Sequence, residues 1–460
     1  MGRSLFPCPD PEPPLRRLAV ILASLLVALV ATRAHALMLP DSTVLESWKL
    51  ANGLEVRTRH VPGASGIAVT LGVRAGHGYQ PAGQEGLADL LAEIEFTGGA
   101  GDFPERLRSE LPSQRPLGYE SRVNHTLVRF TEIVTKAQLP GALAQFAARM
   151  NGVGVTDASL QTALAEVRRD AGSRYFGEAA DALYWRSAAI ARGASDEQLV
   201  RLGSLPGLSK LNAKDVAARL KQWYQPGNSC LALAGDLSGT EVRGIIEATF
   251  GKLAPGAGLP DSVVMRLSGS RRVSTFKGLA APVGVVTAAA PALTDSLHPG
   301  FFLGMLITGA GLTKSWGPPT PPLVARFQYS LLDEPEFVRF YPPVREDAAD
   351  PDLLAGAVFE QFQVVGGQMV TLGIMNRLRD NVRWLVGGPI PDDIRSRMRR
   401  DPSGLGTLSS GLVTRALWHG DAFWSDYRER FETIKLGQSY FYEWLSDPAH
   451  QTTLLLTPAR

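Results

Sequence analysis

Hydrophobic spacing divides the chain into short strands and longer helices. After the turn Asn52-Gly53, Leu54-Glu-Val-Arg-Thr-Arg alternates as a strand does. The unbroken apolar run Ile67 to Val73 predicts a buried strand, and Leu127 to Val134 predicts another. Leu87, Leu90, Leu91 and Ile94 share one face of a helix over 86–95. Helical spacing recurs at Leu139–Met150, at Asp157–Asp170 with Asp157 as its N-cap, at Val216–Trp223 and at Glu241–Phe250. Cys230–Ala234 reads as the strand between the last two.

Residues 252–270 are rich in Gly, Pro, Ser and Ala and have no period, so a linker is expected there. It is placed at 256–272, between a domain at 37–255 and a second at 273–460. The second begins with a strand at Val283–Ala288 and a helix at Phe301–Ile307. It is interrupted by the helix-breaking Trp316–Pro322 and closes on a strand at Thr452–Leu456. The two halves share an order of strand, helix, strands, helices and final strand. This predicts an α+β fold of two duplicated units.

The remaining sequence features narrow the function class. A length of 460 residues suits two domains. The chain is 45% apolar and 20% charged, with 47 basic and 45 acidic residues, and it has no basic tract, so a nucleic-acid partner is not expected. Arg16 and Arg17, the apolar run Leu18–Ala31 and Ala34-His35-Ala36 form the pattern of a signal peptide over 1–36. The apolar run is shorter than the roughly 20 residues of a membrane span. The mature chain is therefore expected in the periplasm or secreted, with an uncleaved membrane anchor as the alternative. Cys8 would leave with the signal, and Cys230 would remain alone as a buried apolar residue.

Several motifs carry a resemblance. Leu50-Ala-Asn52-Gly53-Leu54-Glu-Val56 resembles the opening strand of pitrilysin/insulinase-type peptidases. Ala75-Gly76, Pro81, Gly83 and Gly86-Leu87-Ala88 resemble the approach to their active helix, and Phe96, Gly98 and Gly99 its exit. Tyr224-Gln-Pro226-Gly-Asn228, Gly235-Asp236-Leu and Phe250-Gly251-Lys-Leu are similar to the end of the family's first domain. The likeness is clear over residues 50–255 and fainter beyond. It implies two α/β-roll domains, each an antiparallel-rich sheet flanked by helices.

The family holds zinc with H-x-x-E-H on one helix and a glutamate from a later helix. Two histidines four apart give the metal two nitrogens, and the glutamate polarises the bound water. In Gly86-Leu-Ala-Asp89-Leu-Leu-Ala92-Glu93, Asp89 stands at the first histidine position, Ala92 at the general base and Glu93 at the second histidine. Glu166 matches the third ligand. The resemblance therefore implies a homologue with no zinc cofactor, no catalytic residues and a residual ligand position at Glu166. The other histidines, at 60, 77, 125, 298, 419 and 450, form no replacement motif, and His77 reads as structural.

Active relatives also use an arginine and a tyrosine of the second domain to hold substrate. The corresponding residues are Arg326 and Tyr329, but their spacing is shorter. Ordinary strand-start roles are therefore preferred to substrate binding. Asp89 and Glu93, at i and i+4, repel unless paired, and strand position offers Arg122 and Arg129 as partners.

Three functions remain. The first is a non-catalytic subunit that pairs with an active zinc-peptidase homologue and completes a chamber. The second is an enzyme with a carboxylate metal site at Asp89, Glu93 and Glu166. The third is a periplasmic peptide-binding or scaffold protein.

Overall fold

Two β-sheets carry the fold, and each is built from a separate half of the chain. The computed structural model describes residues 45–459 apart from 98–117, 152–153, 257–268, 320, 324, 346–348, 368–371, 435–443 and 446. The expected signal segment and most of the expected linker lie outside the described residues, as do Gly98 and Gly99. Among the described residues, no helix is long and apolar enough to cross a membrane.

The first half supplies β1 (Leu45–Lys49), β2 (Glu55–His60), β3 (Ile67–Val73), α1 (Leu87–Thr97), β4 (Gly118–Val123) and β5 (Val128–Val134). Then come α2 (Leu139–Met150), α3 (Asp157–Phe176), α4 (Ala179–Ala191), α5 (Asp196–Ser204), α6 (Ala213–Trp223), β6 (Ser229–Gly235) and α7 (Gly239–Phe250). The second half supplies β7 (Ser270–Phe276), β8 (Val283–Ala289), α8 (His298–Trp316), β9 (Phe327–Ser330) and β10 (Glu334–Phe340). It continues with α9 (Pro351–Gly367), α10 (Leu372–Val382), α11 (Asp392–Arg400), α12 (Ser403–Leu417), α13 (Gly420–Thr433) and β11 (Gln451–Pro458). β7 thus begins inside the stretch expected to be linker. The cap of α3 also differs from expectation. Thr156, not Asp157, is the N-cap: Ser159 N donates to its Oγ1 at 3.1 Å, and Thr156 N donates to Ser159 Oγ at 2.9 Å.

The duplication is explicit in the strand order. The first sheet runs β1-β2-β6-β3-β5-β4 and the second β7-β11-β8-β10-β9. Without β1 the two orders correspond strand for strand. In each, the first pair is parallel and the following three are antiparallel.

Both faces of each sheet are covered, one of them by the other half. Along β3 and β6 large and small residues alternate. Ile67, Val69, Leu71, Leu231 and Leu233 join the core beneath α1, α2, α3, α6 and α7. Ala68, Ala232 and Ala234 face the opposite way, against α12 of the second half. Gly72 makes the close approach possible, since a Cβ there would lie 2.0 Å from Val413 Cγ1. The second sheet does the reverse. Its Val286, Ala288, Val338 and Leu455 pack with Phe301, Met305 and Leu354 of α8 and α9. Val283, Val285, Leu454 and Leu456 pack with Ala179, Ala182, Leu183 and Ile190 of α4, from the first half.

Equivalent hydrogen bonds mark the exchange. Thr70 of β3 meets Ser409 of α12 at 2.6 Å, and Thr287 of β8 meets Ser187 of α4 at 2.9 Å. Each fully buried aliphatic side chain at these faces contributes about 1.5–3 kcal/mol. A fragment ending at residue 255 would lose α12 and expose one face of its sheet. It is expected to bind a hydrophobic dye and to melt without a cooperative transition, and co-expression with residues 269–460 is expected to restore cooperativity. A sharp melt of the fragment alone would show that the first sheet does not need the exchanged helix.

Candidate functional site

The helix that the sequence resemblance matches to the zinc helix of pitrilysin-type peptidases is α1 (Leu87–Thr97). A turn at His77–Tyr79 leads into it, and Gln80 Oε1 accepts from Ala88 N at 2.9 Å at its start. Gly86 takes φ +84°, and a Cβ there would sit 2.6 Å from Leu205 Cδ1. A glycine is therefore required both by conformation and by the packing of the loop after α5.

Asp89 lies in the first turn of α1, with 13% of its side chain exposed. His77 Nε2 lies 2.8 Å from its Oδ2, and Arg174 Nη1 from α3 lies 2.7 Å from its Oδ1. Both carboxylate oxygens are thus engaged. Burial alone would raise the Asp89 pKa, but His77 and then Arg174, by charge and by hydrogen bond, hold it well below the usual carboxylate range. The Arg174 guanidinium also stacks 5.0 Å over the Trp185 ring of α4.

Ala92 is buried in the core against its neighbours and offers no donor atom. Glu93 is half-buried. Glu166 on α3 is 38% exposed and pairs with Arg169 of the same helix. Among the described residues, no three His, Cys, Asp or Glu side chains gather as a metal site. Arg122 and Arg129, expected as partners for the helix carboxylates, instead hold Asp333 of the β9–β10 turn. Strand position placed them on the correct sheet but could not show that a turn from the other half reaches them.

A cavity of about 300 Å³ opens beside Asp89, with His125, Trp185 and Arg192 in its wall. The His125 ring is pushed down to about 3, by burial first and then by Arg192 and His77, and its Nε2 has no hydrogen-bond partner. Two residues beyond Glu93, Glu95 is buried, and that burial, only partly offset by Arg149, pushes it up to about 8.

Arg326 and Tyr329 are held within the second half. The Arg326 guanidinium donates to the carbonyls of Pro318 at 3.0 Å, Tyr341 at 3.3 Å and Gly317 at 3.5 Å, fastening the loop that leads into β9. Tyr329, on β9, has its hydroxyl 3.0 Å from His298 Nε2 and donates to Pro335 O at 3.3 Å.

In comparisons with solved structures, the chain is similar to a protease from Helicobacter pylori, with a TM-score of 0.69 and 16% identity over 90% of this chain and 100% of that one. It is also similar to a peptidase M16 inactive domain from Pseudomonas fluorescens, at 0.62 and 13% identity over 90% of this chain and 98% of that one. The fold is that of the M16 peptidases. The periplasmic protease PqqL from Escherichia coli shares this M16 fold at 0.65 and 14% identity. The likeness covers 92% of this chain and 48% of that one, so this chain spans about half its length. Neither a family model nor a curated protein sequence matches the chain.

The resemblance singled out Asp89, Ala92, Glu93 and Glu166 in the sequence, but nothing in it marked His77 and Arg174 as the partners that Asp89 has. They come from a turn and a distant helix, and no spacing rule connects the three. The available signal was chemical, because an aspartate in an apolar helix requires a cation.

The sign of the pH dependence follows from the lowered Asp89 pKa. The ionised carboxylate stabilises the fold at and above its ordinary range, about 4, and this contribution fades as the pH falls below it. Asp89→Asn is expected to cost about 2–4 kcal/mol at pH 7 and progressively less toward pH 3, read by urea denaturation. Equal losses at both pH values would show that the pairing does not carry the effect.

Proposed function

We propose that this chain is a catalytically inactive M16-type homologue that forms the non-catalytic half of a peptidase with a zinc-bearing partner of the same fold. The observation that carries the reading is Asp89, held between His77 and Arg174 where the family's first zinc-binding histidine would stand. Zinc sites of this type need two neutral imidazoles and a carboxylate. Here one imidazole position is an aspartate whose two oxygens are engaged, the second is Glu93, and Glu166 is paired with Arg169. These residues do not fit zinc. The general-base position is Ala92, which cannot take a proton from water. A carboxylate-bound metal would require Asp89 to give up both of its partners.

The partner half of the reading rests on size and likeness. The chain corresponds to about half of the E. coli protease, so a second chain of the same fold would supply the remainder. The likeness to an M16 domain described as inactive supports the loss of chemistry. The Arg16–Ala36 pattern, together with the periplasmic description of PqqL, supports export to the periplasm.

Two measurements test this. Metal analysis of the purified chain is expected to find no stoichiometric zinc. Asp89→His, Ala92→Glu and Glu93→His together are expected to gain little while Arg174 still faces the site, and more when Arg174→Ala is added. About one zinc per unmodified chain would refute the reading. Affinity capture of the tagged chain from its native extract is expected to co-elute an H-x-x-E-H homologue, with peptidase activity tracking the zinc. A chain that elutes alone and cuts peptides would overturn it.

A further inference from the structure

A second and larger cavity, of about 1070 Å³, lies where the two halves meet and shares no lining residue with the one beside Asp89. Tyr79 and Leu127 line it from the first half, and Leu293, Glu336, Trp418 and Trp444 from the second. We propose that it captures the ammonium or guanidinium of a lysine or arginine side chain carried by an extended polypeptide.

Two tryptophans of the wall are fixed through their indole N–H groups. Trp418 Nε1 donates to Thr126 Oγ1 at 2.9 Å, and Trp444 Nε1 donates to Ala289 O at 2.8 Å. Trp444 also stacks on His450, with centroids 4.1 Å apart and planes 15° apart. With both indole N–H groups spent on the protein, what Trp418 and Trp444 bring to the cavity wall is ring surface, and aromatic rings attract organic cations.

Glu336 supplies the counter-charge. Alternation along β10 puts it on the face of Val338 and Phe340, whose cluster includes Trp444. Its Oε2 is buried and has no hydrogen-bond partner, an arrangement that costs stability unless a ligand completes it. Burial pushes this carboxyl up to about 7, with Arg192 lowering it and Glu334 raising it. Arg74 also lines the wall, and its Nε donates to the Leu417 carbonyl at 3.1 Å.

The lip is strained. His419 takes the left-handed φ of +66°, followed by Gly420 at +72°. Such backbone persists where surrounding structure enforces it, and it concentrates at ligand sites. The cavity is too large for one ammonium group alone. Its apolar walls, among them Pro291, Leu293 and Leu417, suit the residues flanking a basic side chain in a peptide. This site uses none of the α1 residues, so it stands or falls independently of the inactive-peptidase reading.

The test is calorimetric titration of the full chain with N-acetylated, amidated trilysine and with its norleucine counterpart, which lacks only the ammonium groups. Trilysine is expected to bind about tenfold or more tighter than trinorleucine, and Glu336→Gln is expected to abolish that difference. Trp444→Leu is expected to weaken trilysine and serves as a second variant if Glu336→Gln fails to fold. Equal affinity for the two peptides, no binding of either, or a difference that survives Glu336→Gln would overturn the proposal. Spermidine binding as tightly as trilysine would overturn the assignment to a polypeptide.

Discussion

A sheet has two faces, and each half of this chain supplies helices of its own for only one of them. The other is closed by a helix lent across the molecule, α12 onto the first sheet and α4 onto the second. The exchange dictates the composition of the strands. β3 and β6 carry Ala68, Thr70, Gly72, Ala232 and Ala234 toward α12 because a helix lying close to a sheet leaves little room for side chains. It also places the polar contacts. Thr70 with Ser409 and Thr287 with Ser187 satisfy hydroxyls that would otherwise be orphaned in an apolar seam.

The same seam determines where charge is buried. Adjacent carboxylates at the start of β10 bridge the halves: Asp333 reaches Arg122 and Arg129 of the first sheet, and Glu334 reaches Arg192 at the end of α4 as well as Arg339. Burial works against ionised Glu334, but Arg339 and Arg192 outweigh it and hold it down at about 2. Buried pairs of this kind return little net stability over an apolar core, but a single partner left alone is costly, so they fix one docking geometry. Asp89 follows the same logic. A carboxylate in the first turn of an otherwise apolar helix persists because a histidine and an arginine meet it.

The elements read most directly from the sequence were those with one apolar face or one unbroken apolar run. Ile67–Val73 and Leu139–Met150 were legible to the residue. α4 was not, because a helix held between two halves is apolar on nearly every side and shows no stripe. β4 and β10 carry Glu120, Arg122, Glu334 and Arg339, charges that resemble a loop until the partners of Arg122 and Glu334 from the other half, Asp333 and Arg192, are known. The candidate site divides along the same line. Motif resemblance singled out Asp89, Ala92 and Glu93, whereas His77 and Arg174 became visible as partners of Asp89 only in three dimensions.

The position of β11 has a consequence for the order of events during synthesis. This strand is not at an edge. It lies between β7 and β8, parallel to the one and antiparallel to the other. β8 therefore has no neighbour on that side until residues beyond 450 have left the ribosome, and α4, whose last residue Ala191 precedes Gln451 by 451 − 191 = 260 positions, has no finished surface to cover. Long-range pairing of this kind is slow and leaves sheet edges open while it waits. Until then β8 and α4 keep uncovered the apolar faces that meet in the folded protein, and the unfinished second sheet is the part of the chain most open to wrong pairing.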